Sequence, residues 1–180
     1  LYANYGARHC PRCGSALTVL TEDEIVERLR TLCGSKPLHL FAPLLHAIPG
    51  SHRTLLDWLG RELGAGALWV DGLPWQSQPL APTQPHDIEV HLGELAPGAS
   101  GGIARGLLQR AMALGAQAVT ARGAGTEVTL TNTPVCASCG AWFGRLEPKH
   151  FHIPCPHCDG AGCGRCGGTG MHPQAAAVRW

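Results

Sequence analysis

Eight of the nine cysteines fall into four Cys-x-x-Cys pairs: Cys10/Cys13, Cys136/Cys139, Cys155/Cys158 and Cys163/Cys166. Two residues between thiolates let one short turn aim both sulfurs at a single ion, and a glycine after the second cysteine permits the positive φ that such a turn adopts. Gly14, Gly140 and Gly167 hold that position, and Asp159 holds it in the third pair. The chemistry implied is tetrahedral thiolate ligation of two zinc ions. A disulfide framework suits a small secreted scaffold, but this chain has long cysteine-free stretches and no secretory signal. A redox dithiol would sit between a strand and a helix, whereas these pairs sit among glycine and proline.

Four pairs can form two sites in three ways. Fifteen residues separate Cys139 from Cys155, the spacing of ordinary four-cysteine modules, so the sequence predicts Cys136/Cys139 with Cys155/Cys158. Cys10/Cys13 would then close on Cys163/Cys166, a nested arrangement tying the two ends together. The neighbours Cys155/Cys158 and Cys163/Cys166, joined only by "DGAG", are the pairing least expected. Cys33 reads as a packed thiol near a helix end. His9, His150, His152, His157 and His172 read as solvated, or as hydrogen-bonding around the thiolates.

The elements that must position these pairs are legible between them. Thr21 and Glu24 form a capping box before "IVERLRTL", and Gly34 stops that helix. "PLHLFAPLL" reads as an apolar strand. Ser51 is expected to cap a second helix burying Leu55, Leu56, Leu59 and Leu63, with Gly64 at its end. "ALWVDGLPW" reads as a strand with an Asp-Gly turn, and "PHDIEVHLGEL" as a half-buried strand. A third helix places Ile103, Leu107, Ala111 and Leu114 on one face, and "AQAVTARGAGTEVTLT" gives two strands about a glycine turn. The expected fold is α+β, a mainly antiparallel sheet with two or three helices, plus a zinc-knuckle module joining the chain ends. The domains expected are 1–35 (first knuckle and helix), 36–132 (an inserted α+β domain) and 133–180 (the knuckle module).

Fourteen Lys and Arg against thirteen Asp and Glu give a net charge of +1, which is no basic footprint for nucleic acid. Two zinc ions on eight thiolates would take it to about −3. No apolar run reaches the roughly 20 residues of a membrane helix, and a cytoplasmic location is expected. The chain has no phosphate loop and no nucleophile-base arrangement. Closed thiolate sites argue for architecture, so no enzymatic activity is expected of this chain itself.

The placed motifs resemble, in order, the excinuclease A subunit (UvrA) family of bacterial nucleotide excision repair. "LYANYGARHCPRCG", "LFAPLL", "LWVDG", "HDIEV", "CASCG" with "RLEPKHF", "CPHCDGAG" and "CGRCGGTGMHPQAAAVR" carry the resemblance. It implies a DNA-repair ATPase with tandem ABC-type nucleotide sites, an inserted domain that docks the UvrB helicase subunit, and zinc modules near the DNA. ATP would belong to the parent protein, of which this chain, opening on Leu1, is expected to be a part. Where the family carries arginines before its Asp-Gly turn, this chain has Ala67 and Trp69. Gly93 and Glu94 replace the family's Asp-Arg, and four residues bridge two knuckles that typical members separate by a long helical stretch. Partner contacts are expected around Trp58, Trp69 and Trp75, and DNA contacts at Arg145, Lys149 and Arg165. The alternative is a zinc thiol or chaperone module, because Cys-x-x-Cys-x-Gly-x-Gly also resembles the cysteine-rich region of DnaJ.

Overall fold

The computed structural model describes residues 7–123, 125–136, 138–141 and 146–179. The chain divides into two units, Leu20–Thr133 and the described parts of Leu1–Val19 with Pro134–Trp180. The fold is α+β with a mostly antiparallel sheet. Among the described residues no helix is long and apolar enough to cross a membrane.

The first strand, β1 (Ala7–Arg8), belongs to the unit made of chain ends and is taken up below. In the 20–133 unit, helix α1 (Glu22–Cys33) starts at the expected capping box: Thr21 Oγ1 accepts from the Glu24 N–H and the Glu24 carboxylate accepts from the Thr21 N–H at 2.7 Å. Strand β2 (Leu38–Pro49), helix α2 (Arg53–Leu63), strands β3 (Leu68–Val70), β4 (Leu73–Pro74) and β5 (Pro85–Leu95), helix α3 (Gly101–Ala113), and strands β6 (Val119–Gly123) and β7 (Thr126–Leu130) follow. The sheet order is β4-β3-β5-β2-β6-β7, every neighbouring pair antiparallel. Asp71 and Gly72, both at positive φ, make the two-residue turn between β3 and β4, as a right-handed twisted hairpin requires.

The apolar alternation of the strands meets the three helices in one core, which includes Ile25, Leu29, Leu40, Leu56, Leu68 and Leu108. Cys33 is packed there, its thiol donating to the Leu95 carbonyl at 3.1 Å. Two local expectations need correction. The residue preceding α2 is His52, at φ 45° with no side-chain cap, and its ring bonds the Ile48 carbonyl instead of the helix. Ser51 therefore does not cap. In α3 the buried stripe is Ala104, Leu108 and Ala111, with Leu107 and Leu114 half-buried and Ile103 53% exposed. Alanines on that stripe let the helix backbone approach the sheet, so small residues outrank the larger Ile103 for the buried positions.

Gly60 sits inside α2, and a Cβ there would meet only Leu68 Cδ1 and Trp75 Cζ3 at 3.9 Å, ordinary contacts. Gly60→Ala is expected to stabilise the unit by about 0.5–1 kcal/mol, through helix propensity alone, in a urea titration.

On the other sheet face Arg122 makes a bidentate pair with the buried Glu89 (2.7 and 3.0 Å) and a third bond to Glu127 (2.8 Å). Its guanidinium lies 4.5 Å above the Phe41 ring, which Trp69 and His91 flank at 5.0 Å. A buried carboxylate is tolerated there because a planar fork satisfies both oxygens.

His86, 6% exposed, fastens the loop between β4 and β5: Nδ1 donates to Asp71 at 2.8 Å and Nε2 to the Ala81 carbonyl at 3.0 Å. Both partners are acceptors, so this pair of bonds favours the protonated ring. The Asp71 bond, then the Ala81 carbonyl, raise its pKa above the ordinary 6.5. Asp71 is held below 3.8: burial opposes its charge, but the bonds from His86 and the Asp87 N–H prevail. The stabilisation from Asp71 is present above 3.8 and lost as pH falls through its folded value. That from His86 is complete below 6.5 and lost as pH rises through its raised value. The stability gap between the parent and His86→Gln is expected to shrink from pH 6 to pH 9, with the His86 ring titrating above 6.5 by NMR. A ring titrating below 6.5 would contradict the clamp.

In the unit made of chain ends, β1 pairs antiparallel with β8 (Val178–Arg179), after the single-turn helix α4 (Pro173–Ala176). The His9 N–H donates to the Ala177 carbonyl at 2.9 Å, extending that pairing. Among its described residues the buried apolar set is Cys10, Cys136, Cys155, Cys166 and Ala175. The cysteines are the core of this unit.

Candidate metal centre

The first two knuckles follow from backbone bonds that their glycines permit. The Gly14 N–H reaches the Cys10 carbonyl at 2.8 Å and the Cys10 N–H reaches the Ser15 carbonyl at 2.7 Å. The second knuckle repeats this pattern: Gly140 N–H to the Cys136 carbonyl and Cys136 N–H to the Ala141 carbonyl, both at 2.9 Å. The two matching knuckles meet. Cys10 and Cys139 sulfurs lie 3.6 Å apart, as do Cys13 and Cys136, with all four sulfurs within 4.8 Å of one another.

The other two knuckles form a second group. Cys155 and Cys163 sulfurs are 3.9 Å apart, Cys158 and Cys166 are 3.9 Å apart, and Cys163 and Cys166 are 3.8 Å apart. The nested pairing expected from the spacing is thus not the one the fold makes. The reason lies in the connector: Asp159, Gly160 and Gly162 have φ of 46°, 87° and 90°, so the chain reverses within "DGAG". The returning strands then pack backbone on backbone. A Cβ on Gly162 would lie 2.8 Å from the Gly168 carbonyl oxygen, and one on Gly170 would overlap the carbonyl of Gly160. A four-residue bridge is too short for ordinary residues to do this, and glycine removes the obstacle.

Ligand bonds of about 2.3 Å at tetrahedral angles put sulfurs about 3.8 Å apart, which these separations match, whereas a disulfide holds them about 2.05 Å apart. Both groups could hold a metal ion. Within each group the thiols differ in acidity. In the first group the Ser15 hydroxyl and backbone lower Cys13, which is exposed, to about 6, while burial pushes Cys139 up to about 12. In the second, backbone bonding at Cys163 lowers Cys166 to about 6, and desolvation raises Cys158 to about 11. Amide donors reach the sulfurs as well, Gly162 N–H to Cys158 at 3.2 Å and Cys163 N–H to Cys166 at 3.1 Å.

Three of the neighbouring histidines make contacts outside the sulfur groups. His150 Nδ1 accepts from the Glu147 N–H, His172 Nδ1 accepts from the Gln174 N–H, their rings stack at 4.7 Å, and His157 meets Arg165 at 3.0 Å. Of the expected DNA contacts, Lys149 pairs with Glu147 at 2.7 Å, Arg165 lies on His157, and Arg145 falls outside the described residues. Arg12, not singled out from the sequence, lines a groove of about 250 Å³ with Cys10, His157, His172 and Gln174. Its place beside Cys10 within a knuckle was the available signal. The three tryptophans are spread over different surfaces: Trp58 is 50% exposed on α2, Trp75 packs under α2 against the core, and Trp69 lies on the Phe41 face.

Paired knuckles and an α+β unit with an antiparallel sheet define a class: a protein region with two four-cysteine groups able to hold metal, one of which joins the segment at Cys10 to the segment at Cys136. The particular likeness is to UvrABC system protein A. The Bacillus subtilis (strain 168) and Staphylococcus aureus (strain N315) proteins of that name are each 29% identical over 174 residues, covering 90% of this chain and 18% of the relative. That of Clostridium perfringens (strain 13 / Type A) is 26% identical over 177 residues, covering 94% of this chain and 18% of the relative. The chain therefore spans about 18% of the length of these relatives. No family model matches it.

Proposed function

We propose that this chain is the zinc-stabilised, partner- and DNA-contacting portion of a UvrA-like ABC-type ATPase of nucleotide excision repair. The observation that carries the reading is the assembly of all eight paired cysteines into two four-sulfur groups, within a chain similar along most of its length to UvrABC system protein A. Zinc is the ion that an all-thiolate tetrahedral set favours. In this reading Cys10, Cys13, Cys136 and Cys139 hold one ion, and Cys155, Cys158, Cys163 and Cys166 the other. Neither site leaves a position for substrate, and ATP would act in the parent protein.

The 20–133 unit would dock a UvrB-like helicase subunit, and the metal unit would meet DNA phosphate through Arg12, Arg145, Lys149 and Arg165. Trp58, which is exposed, and Trp69, which is half-buried, would be the aromatic contacts. Calorimetric titration of the zinc-loaded chain with a UvrB-like helicase tests it. Saturable binding that weakens in Trp69→Ala supports docking, and no heat at high micromolar concentration removes that role from this chain.

A further inference from the structure

We infer that the groove between α2 and the loop following β4 binds an extended acidic peptide segment of a partner protein. The groove holds about 560 Å³, within the range of ligand-binding clefts. Its floor is Leu56 and Gly60, and one wall is the half-buried Trp75, whose indole N–H is fixed on the Gln78 carbonyl at 3.0 Å. The other wall is the α2 row Arg53, Asp57 and Arg61.

The charges of this row are available. Arg53 is 87% exposed and only loosely paired with Asp57, at 3.7 Å. Arg61 uses Nε on the Asp57 backbone carbonyl at 3.1 Å, which leaves the outer edge of its guanidinium to the groove. At the Arg53 end α2 has no acidic residue in its first turn and no capping side chain, so its first-turn N–H groups add positive potential there.

The spacing selects the ligand. Eight helical residues place the two arginines about 12 Å apart, and an extended chain covers about 13 Å in four residues. Carboxylates at positions i and i+4 of an extended segment would each reach one arginine, with apolar residues between them against Trp75. Asp57, midway, disfavours a negative charge at the centre. A phosphodiester chain carries charge at every residue and would set one against Asp57, which favours peptide over nucleic acid. Occupancy of this groove requires nothing of the metal unit.

The test is fluorescence anisotropy with the zinc-loaded chain and a labelled dodecapeptide carrying two glutamates four residues apart around Leu and Pro. Its counterpart with lysines and a twelve-nucleotide single strand are run beside it. The acidic peptide is expected to bind saturably, at least tenfold more tightly than the lysine peptide, and less tightly as salt is raised. Arg61→Glu, which reverses a wall charge, and Gly60→Gln, which fills the floor, are each expected to weaken it at least fivefold. Ile103→Ala, exposed on α3 and outside the groove, should leave it unchanged. Equal binding of both peptides, no saturation below 1 mM, or indifference to both groove variants would overturn the inference. So would loss of single-strand binding in Arg61→Glu without acidic-peptide binding, which would make the groove a nucleic-acid site.

Discussion

Stripping metal from the zinc-loaded chain with a strong chelator is expected to unfold the unit built from the chain ends while the 20–133 unit keeps its sheet. The described part of that unit buries four cysteines and Ala175, and its regular structure is two strand residues at each end, a single-turn helix and short turns. Such a set cannot offset the ordering of its backbone, at about 1–2 kcal/mol per residue, without the ions. Structural zinc supplies about 10–16 kcal/mol per site in small modules, so its loss dominates every other change considered. Hydrogen exchange would show the amides of Gly14, Gly140, Cys155 and Gly168 losing protection while β2, β5 and β6 retain theirs. The same release should come with acid, because each ion competes with protons for its thiolates. Equal protection with and without chelator would mean that the unit is held by something other than metal.

The second large effect is expected at glycine. Gly170→Ala puts a methyl into the Gly160 carbonyl at φ 71°, and Gly162→Ala puts one 2.8 Å from the Gly168 carbonyl at φ 90°. Left-handed backbone alone costs a non-glycine residue about 1–2 kcal/mol, and here the obstructing atoms are backbone, which cannot rotate away. Each variant should lose the ion at Cys155, Cys158, Cys163 and Cys166 and keep the one at Cys10, Cys13, Cys136 and Cys139. Retention of two ions per chain, measured by native mass spectrometry, would show that the connector tolerates side chains and that the tight reversal is not what pairs the knuckles.

Much of the fold was written in local signals. The capping box at Thr21, the Asp71-Gly72 turn and the strand patterns around Phe41 and Val90 each depend on residues close in sequence, and each appears where the pattern puts it. What was not legible depends on approach distance. Ala111 is buried in α3 as expected, but the rest of its buried face is Ala104 and Leu108, because a helix that packs closely selects small residues such as Ala104, which periodicity ranks below Ile103. The start of α2 moved because His52 adopts a left-handed conformation and spends its ring on Ile48.

The metal groups show the same division. Identity and number of the sulfurs came from the Cys-x-x-Cys repeat, but their partnership did not. Spacing favoured the fifteen-residue connection, whereas the matching hydrogen-bond patterns of the knuckles at Cys10 and Cys136, and the glycine reversal after Cys158, decide it. The clue was present in "DGAG", where glycines replace the length that the linker lacks.

The pairing can be tested by one count. A double variant, Cys13→Ser with Cys139→Ser, removes two ligands from a single group in this fold, so the chain should retain one zinc ion by native mass spectrometry. Under the nested arrangement the same two residues belong to different sites, and retention of no tightly bound ion would contradict the pairing described here.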